Sequence, residues 1–332
     1  MSTQPLPLAY FDAHNHIHLS IPGRIPPIIS PADYASSKPT DATNDTPEIS
    51  LVRKHAHAVR DNLCGSNERS RICGLSLMST QPRDFIPVSI LCDELSADPT
   101  SVASCVPCFG VHPWFLHLAE EDSNAYAYVD FESCVTNKSS FWWEHYMRKS
   151  LLDNPQSAVG EVGLDGARYD PKTGDLCTPM DRQVEAFETQ LRLAVELQRP
   201  VSIHAVRAWG PLLDTLNKKF GKKKGDKPRR MYFHAFGGKA AQINQINAAC
   251  RGTDEVFYGF APCVNFRSPK TADVIRAIGI DSLVLESDRE NYMAVREDLE
   301  ANAQFIADAL DMQKDEVVQK TAANARRFYG LA

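Results

Sequence analysis

The fold that this sequence predicts is a (β/α)8 TIM barrel. Short apolar runs of strand character alternate eight times with helix-like amphipathic segments, and polar residues collect where the apolar runs end. A doubly wound open sheet is the alternative, but no GxGxxG or P-loop motif supports it. A chain of 332 residues with 43% hydrophobic side chains can build one large domain with a sizeable core, here taken as 1–332. Charged residues at 23% are ordinary for a globular protein, and a net charge of −6 argues against a molecule that coats nucleic acid with its whole surface.

The first strand lies in "AYFDAH" and runs into "NHIHL". Side chains alternate along a strand, so Asp12, His14 and His16 share a face, an arrangement suited to a metal. Asp12 is expected to orient a ligand imidazole. Residues 20–50 are rich in Pro, Ser, Thr and Asp and read as an extended loop after this strand. "ICGLSLMS" is the second strand and "CVPCFGVH" the third. Cys105 and Cys108 form a lone CxxC without a second pair, so a zinc knuckle is not expected. Nine irregularly spaced cysteines fit thiols in a reducing compartment. The N-terminus lacks a basic region followed by an apolar run, and no apolar stretch reaches 18 residues. A cytoplasmic protein with access to the nucleus and no membrane partner is therefore expected.

Residues 122–140 read as a second inserted loop. The fourth strand, "SAVGEVGLD", puts Glu161, Gly163 and Asp165 on one face. Residues 180–198 follow as a helix, with Val184, Phe187, Leu191, Ala194 and Val195 at spacings of three and four. The fifth strand, "PVSIHA", ends at His204, and the sixth, "RMYFHAF", at His234. Between them, residues 218–230 hold eight basic side chains. This segment follows a helix and precedes a strand, so it belongs to the end of the barrel opposite the active site, as a solvated loop. "EVFYGFAP" is the seventh strand; "SLVLESD" is the eighth and delivers Glu286 and Asp288. A second long helix covers 291–310.

Residues at the C-terminal ends of barrel strands converge on one site. Four imidazoles and two carboxylates exceed what one tetrahedral ion with an open position needs. Two divalent ions about 3.5–4 Å apart, sharing a carboxylate, would use them all. A His-rich set suits Zn or Mn, while Mg prefers oxygen.

In combination, "FDAHNH", "GVHPW", "GEVGLD", "PVSIHA", "FHAFGG" and "LESD" make the chain resemble the TatD family of metal-dependent deoxyribonucleases, a branch of the amidohydrolase-like barrels. "AANARRFYG" is similar to the family's closing helix. The resemblance spans nearly the whole chain. It implies that His14, His16 and Asp288 bind one metal, that His204 and His234 bind a second, and that Glu161 bridges them. It also implies Mg-supported hydrolysis of phosphodiesters, in DNA attacked from an end, through a metal-activated water. Asp288 then orients the water or takes its proton, and His112 of "GVHPW" faces the substrate. Arg168, just after "GLDG", is placed to receive a phosphate oxygen. Glu286 sits one layer deeper and is expected to matter for stability.

Two departures stand out. Trp114 occupies the place where the family has a second His, and it either stacks on a base or packs a loop. The stretch "SDRENYM" lacks the Pro that the family has after its last Asp, which alters the pocket rim. A hydrolase of another ester or amide is the alternative activity. Some fungal members of the family are linked to the mitotic ubiquitin-ligase machinery, which implies a protein partner beside the metal site.

Overall fold

The computed structural model describes residues 8–22, 29, 33, 45–64, 70–97, 104–121 and 141–331. Eight parallel strands stand in the order β1 to β8: Leu8–Asn15, Ser70–Met78, Ser104–Phe109, Ala158–Asp165, Val201–Val206, Arg230–Phe233, Glu255–Phe260 and Leu283–Leu285. The described helices are α1 (Pro47–Cys64), α2 (Phe85–Ser96), α3 (Leu116–Glu121), α4 (Trp143–Asp153), α5 (Met180–Glu196) and α6 (Trp209–Lys218). They continue with α7 (Ile243–Ala249), α8 (Pro262–Asn265), α9 (Thr271–Ile278), α10 (Val295–Leu310) and α11 (Lys314–Tyr329). This is the expected barrel, with each of the eight predicted runs at its own strand.

Every residue of β4 is buried, as parallel strands covered on both faces require. Alternation sends Ile203, Phe233 and Leu285 outward to the helices, while Ser202, Tyr232 and Val284 turn inward. The floor of the barrel is aromatic. Phe328 meets Tyr232 and Phe257 edge-on, Tyr329 stacks on Phe11 at 5.8 Å, and the Tyr329 hydroxyl donates to the Ala13 carbonyl at 2.8 Å. The family-like terminal helix is thus the plug beneath the site.

The seam between β8 and β1 closes at the catalytic end. The Asp288 N–H donates to the His14 carbonyl at 2.9 Å, and the His16 N–H donates to the Arg289 carbonyl at 2.8 Å. Asp12 belongs to this seam. Its carboxylate accepts from the Ser287 N–H at 2.9 Å, the Ser287 hydroxyl at 2.7 Å and the Asn15 amide at 3.2 Å. Asp12 meets no imidazole ring in any of these bonds; its further acceptance, at 3.3 Å, is from the His14 backbone N–H. The expected role as a ligand-orienting carboxylate is therefore corrected to a stitch across the seam.

Helix α1 begins at Pro47, inside the span read as loop, because Thr46 caps it and Pro at the first turn forfeits no hydrogen bond. Most of the 20–50 loop, and all of 122–140, lie outside the described residues. The basic segment 218–230 does precede β6, at the opposite end, but it is only partly solvated. Lys227 is 1% exposed, and its ammonium donates to the carbonyls of Gly221 and Arg251. The CxxC pair is split: Cys108 lies in the barrel interior, while Cys105 Sγ lies 3.1 Å from Cys92 Sγ of α2. Seven cysteines among the described residues are free thiols. No helix among those residues is long and apolar enough to cross a membrane.

Candidate metal centre

Glu161, 2% exposed, is the hub. Its two oxygens face different imidazoles. Oε2 lies 3.4 Å from His14 Nε2 and 3.0 Å from His16 Nε2. Oε1 lies 2.9 Å from His204 Nδ1, 2.6 Å from His234 Nε2 and 3.1 Å from His112 Nε2. Asp288 Oδ1 closes the first side, 3.6 Å from His16 Nε2 and 3.9 Å from His14 Nε2. The structure brings all six expected ligands together, and His14 stacks on His234 at 3.8 Å. Three subsets have donor atoms close enough for one ion: His14–His16–Glu161, His14–His234–Asp288 and His112–Glu161–His204.

Backbone geometry sets these positions. Gly163 has φ +151, and a Cβ there would fall 2.0 Å from the His204 carbonyl oxygen, so only glycine lets β4 approach β5 this closely. Asp288, Ala235 and Arg207 take left-handed backbone angles of +53, +39 and +51 just past β8, β6 and β5. Non-glycine residues held there are uncommon and cluster at functional sites.

Hydrogen bonds on the far side of three of the four ligand rings show how these residues suit a metal, while His234 Nδ1 is buried without a hydrogen-bond partner. His16 Nδ1 donates to the Met78 carbonyl at 2.9 Å, His14 Nδ1 is hydrogen-bonded to Ser202 Oγ at 3.0 Å, and His204 Nε2 donates to Asp165 Oδ2 at 2.9 Å. The bonds to the Met78 carbonyl and the Asp165 carboxylate put a proton on the far nitrogen of His16 and His204 and leave the near nitrogen to face Glu161, which is how metal-ligating imidazoles are held, whereas the Ser202 hydroxyl can donate to His14 or accept from it. His112 differs. Its Nδ1 accepts from the Trp114 N–H at 3.1 Å, so the neutral ring carries its proton on Nε2 and presents a donor to Glu161 and the pocket.

Electrostatics agree with that division. Burial pushes the Glu161 carboxyl up, but the imidazoles of His112, His234 and His14 outweigh it and hold the group well below the usual range. Burial holds His112 down to about 4 and His14 well below its ordinary value. Burial also opposes charge on His16 and His204, yet Glu161 with Asp288, and Asp165 with Glu161, raise each to about 9. Carboxylates that draw protons onto buried rings draw a divalent cation by the same field. Asp288 is raised, chiefly by burial. Glu286, raised well above its range by burial and by Asp288, lies deeper, bound by the Tyr232 hydroxyl and the Ala235 N–H.

Asp165 is the residue whose importance was missed. Besides His204, it accepts the Trp114 indole N–H at 2.7 Å and the N–H groups of Ala167 at 2.6 Å and Arg168 at 3.0 Å. Burial opposes its charge, but these bonds hold its carboxyl at about 2. Its place on the Glu161 face of β4 was the available signal. Trp114 is thus anchored, 38% exposed, with its ring plane steeply crossed to those of His112 and His204. The exposed Arg168 lies over it, Cζ 5.2 Å from the ring centre, at the rim and not in the pocket. The pocket holds about 200 Å³ and is lined by His16, His112, Trp114, Glu161, Asp288 and Glu290, among others.

The profile of the family described as TatD related DNase matches residues 61–330, well over half of the chain, beginning after β1. The Cut9-interacting protein scn1 of Schizosaccharomyces pombe is 25% identical over 318 residues, covering 76% of this chain and 90% of that one. An uncharacterized deoxyribonuclease of Saccharomyces cerevisiae is 23% identical, covering 72% and 83%. Among solved structures, the TatD homologue YJJV of Escherichia coli superposes with a TM-score of 0.60 at 19% identity, over 97% of this chain and 98% of that chain, a likeness of fold. Strand order, strand-end histidines and the profile match agree: this chain belongs to the TatD-related DNase family of metal-dependent hydrolases.

Proposed function

We propose that the chain hydrolyses phosphodiester bonds, in DNA attacked from an end, at a centre for two divalent cations. The observation that carries the reading is the division of Glu161, whose Oε2 faces His14 and His16 and whose Oε1 faces His204 and His234. In this reading His14, His16 and Asp288 would hold one cation, His204 and His234 the second, and Glu161 both. The imidazoles favour Zn or Mn, and the carboxylates admit Mg. When bound, the cations stabilise charge on the phosphate oxygens and acidify the attacking water. Asp288, whose side chain is 17% exposed to the pocket, orients that water and accepts its proton. His112 offers its Nε2–H to a substrate oxygen, and Trp114 and Arg168 hold the substrate at the rim. A pocket of about 200 Å³ is smaller than the ~300–1,000 Å³ of sites that bury drug-sized ligands. It suits one phosphate with its sugar, which supports attack at a strand end.

The test is a substrate screen with purified protein supplied with Mg, Mn or Zn in turn. Turnover of end-labelled single-stranded DNA and of bis(4-nitrophenyl) phosphate, with none of acyl esters or amides, is expected. Acyl turnover alone would overturn the reading. The name of the fission-yeast relative, a Cut9-interacting protein, supports a second role, binding of a protein partner. Co-purification of the same partner with wild type and with His204→Ala would show that this role is separate from the metal centre. Free thiols support a reducing compartment, cytoplasm or nucleus, as its location.

A further inference from the structure

The loops that follow β4, β5, β6 and β7 at the catalytic end cover residues 166–179, 207–208, 234–242 and 261–270. They carry six exposed cations, Arg168, Lys172, Arg207, Lys239, Arg267 and Lys270, against two acids, Asp170 and Asp175. The chain as a whole has a net charge of −6, so this crescent runs against the average. None of the six has a carboxylate partner among the described residues. Asp170 is also committed, accepting the N–H of Lys172 at 2.6 Å.

The crescent is one built surface. The Gly166 N–H donates to the Val206 carbonyl at 2.8 Å, tying the β4 loop to β5. The Phe236 N–H donates to the Gly259 carbonyl at 2.8 Å, and the Asn265 amide reaches the Phe236 carbonyl at 3.1 Å, tying the β6 loop to β7. Arg168 on Trp114 joins the crescent to the pocket. Among the cations stand exposed apolar side chains. Tyr169 is 51% exposed with its hydroxyl bound to the Gly166 carbonyl at 3.2 Å, Val206 is 36% exposed and Val264 is 50% exposed.

We infer that this crescent is the track of a single-stranded nucleic acid whose terminal phosphate enters the pocket. Spaced cations meet successive phosphates, while Trp114 and Tyr169 offer faces for bases. The β8 side of the mouth carries Glu290, which lines the pocket and repels phosphate, so the strand leaves over β4–β7 and not over β8. The inference rests on the phosphodiesterase reading for its substrate class, but its test does not depend on turnover.

The test uses the full chain and a fluorescein-labelled 20-residue oligothymidylate, with Asp288→Asn to block cleavage. Binding is followed by anisotropy between 50 and 200 mM salt. Adding Arg207→Ser, Lys239→Ser, Arg267→Ser and Lys270→Ser is expected to weaken binding at least tenfold at 50 mM salt. It should also flatten the slope of log affinity against log salt by about 3, since each lost phosphate contact removes about 0.7 for single strands. The charge-reversed pair Arg207→Glu and Lys270→Glu should weaken binding at least as much. Lys222→Ser with Lys223→Ser, at the opposite end, should change neither quantity. In the Asp288→Asn background, an unchanged slope for both the four-site variant and the charge-reversed pair overturns the track. Hydrolysis of bis(4-nitrophenyl) phosphate by the four-site variant with Asp288 intact should stay within twofold of wild type. Absence of that hydrolysis in wild type would sink the phosphodiesterase reading and leave the binding result standing.

Discussion

The two ends of this barrel treat charge in opposite ways. At the end where strands begin, six of the eight cations of 218–230 have partners within the protein, all but Lys222 and Lys223. Lys218 meets Asp214 at 2.8 Å, Lys219 meets Glu188 at 3.4 Å, and Asp254 takes both Lys224 at 3.1 Å and Arg229 at 3.0 Å. Lys227 is buried on two carbonyls, and Arg230 donates to the Arg327 carbonyl. At the end where strands finish, five imidazoles crowd a single buried carboxylate, and six rim cations have no carboxylate partner among the described residues. Matched charge fastens a fold, and exposed pairs of this kind contribute little, about 0–1 kcal/mol each. Charge converging without an internal counterpart is arranged for something that arrives.

The largest effect that sharpens this contrast is expected at Asp288. Asp288→Asn keeps the size of the side chain but removes its charge and its ability to take a proton. We predict a fall in kcat of at least about a hundredfold, since general-base catalysis alone is worth about 10²–10⁴. The circular dichroism spectrum should be unchanged. Near-normal turnover would remove this strand end from the chemistry.

Asp165→Asn should come next. It releases His204 from the bond that fixes its tautomer, and losing such a partner costs about 10–100-fold in metal affinity. Titration with Zn or Mn, read by calorimetry, checks this; unchanged affinity would reduce Asp165 to a loop anchor.

The opposite end supplies the reverse pattern. Lys227→Met leaves two buried carbonyls without their donor and should lower unfolding stability by roughly 2 kcal/mol, measured in urea, with little change in kcat. Its exposed neighbours Lys222 and Lys223, changed to Ser, should leave both stability and oligonucleotide turnover at saturating substrate within about threefold, or ~0.7 kcal/mol in barrier terms. A hundredfold loss of turnover would place this segment in the catalytic region after all.

Glu286→Gln should have the smallest effect on chemistry. The carboxyl is already held toward its neutral form by burial, and an amide preserves an acceptor for the Ala235 N–H. A loss of about 1 kcal/mol in stability with kcat within threefold is expected. A large fall in kcat would bring Glu286 into the reaction.

Much of this was legible from residue pattern. Strand ends are marked by an abrupt change from apolar to polar, so His204 and His234 declared themselves, and period-two alternation put His14 and His16 on one face. Alternation also placed Asp165 beside Glu161, but not its bond to His204, because that depends on how far β4 and β5 slide past one another at Gly163. Asp12 misled for a related reason. The ladder between β1 and β2 shifts after Asp12, and the side chain turns to Ser287, 275 residues away, to close the seam. Lys227 has the composition of a solvated run, and its burial reflects the fold of its own loop around Arg251. Contacts between distant elements, set by register, are what pattern does not carry.

The central claim is that Glu161 divides one pocket into two cation sites. The most direct measurement is metal content per chain by plasma mass spectrometry, on protein purified without chelator and then equilibrated with Zn or Mn. Two equivalents per chain are expected for wild type, and one when His204 and His234 are both changed to Ala. A single equivalent in wild type under metal-replete conditions would contradict the account.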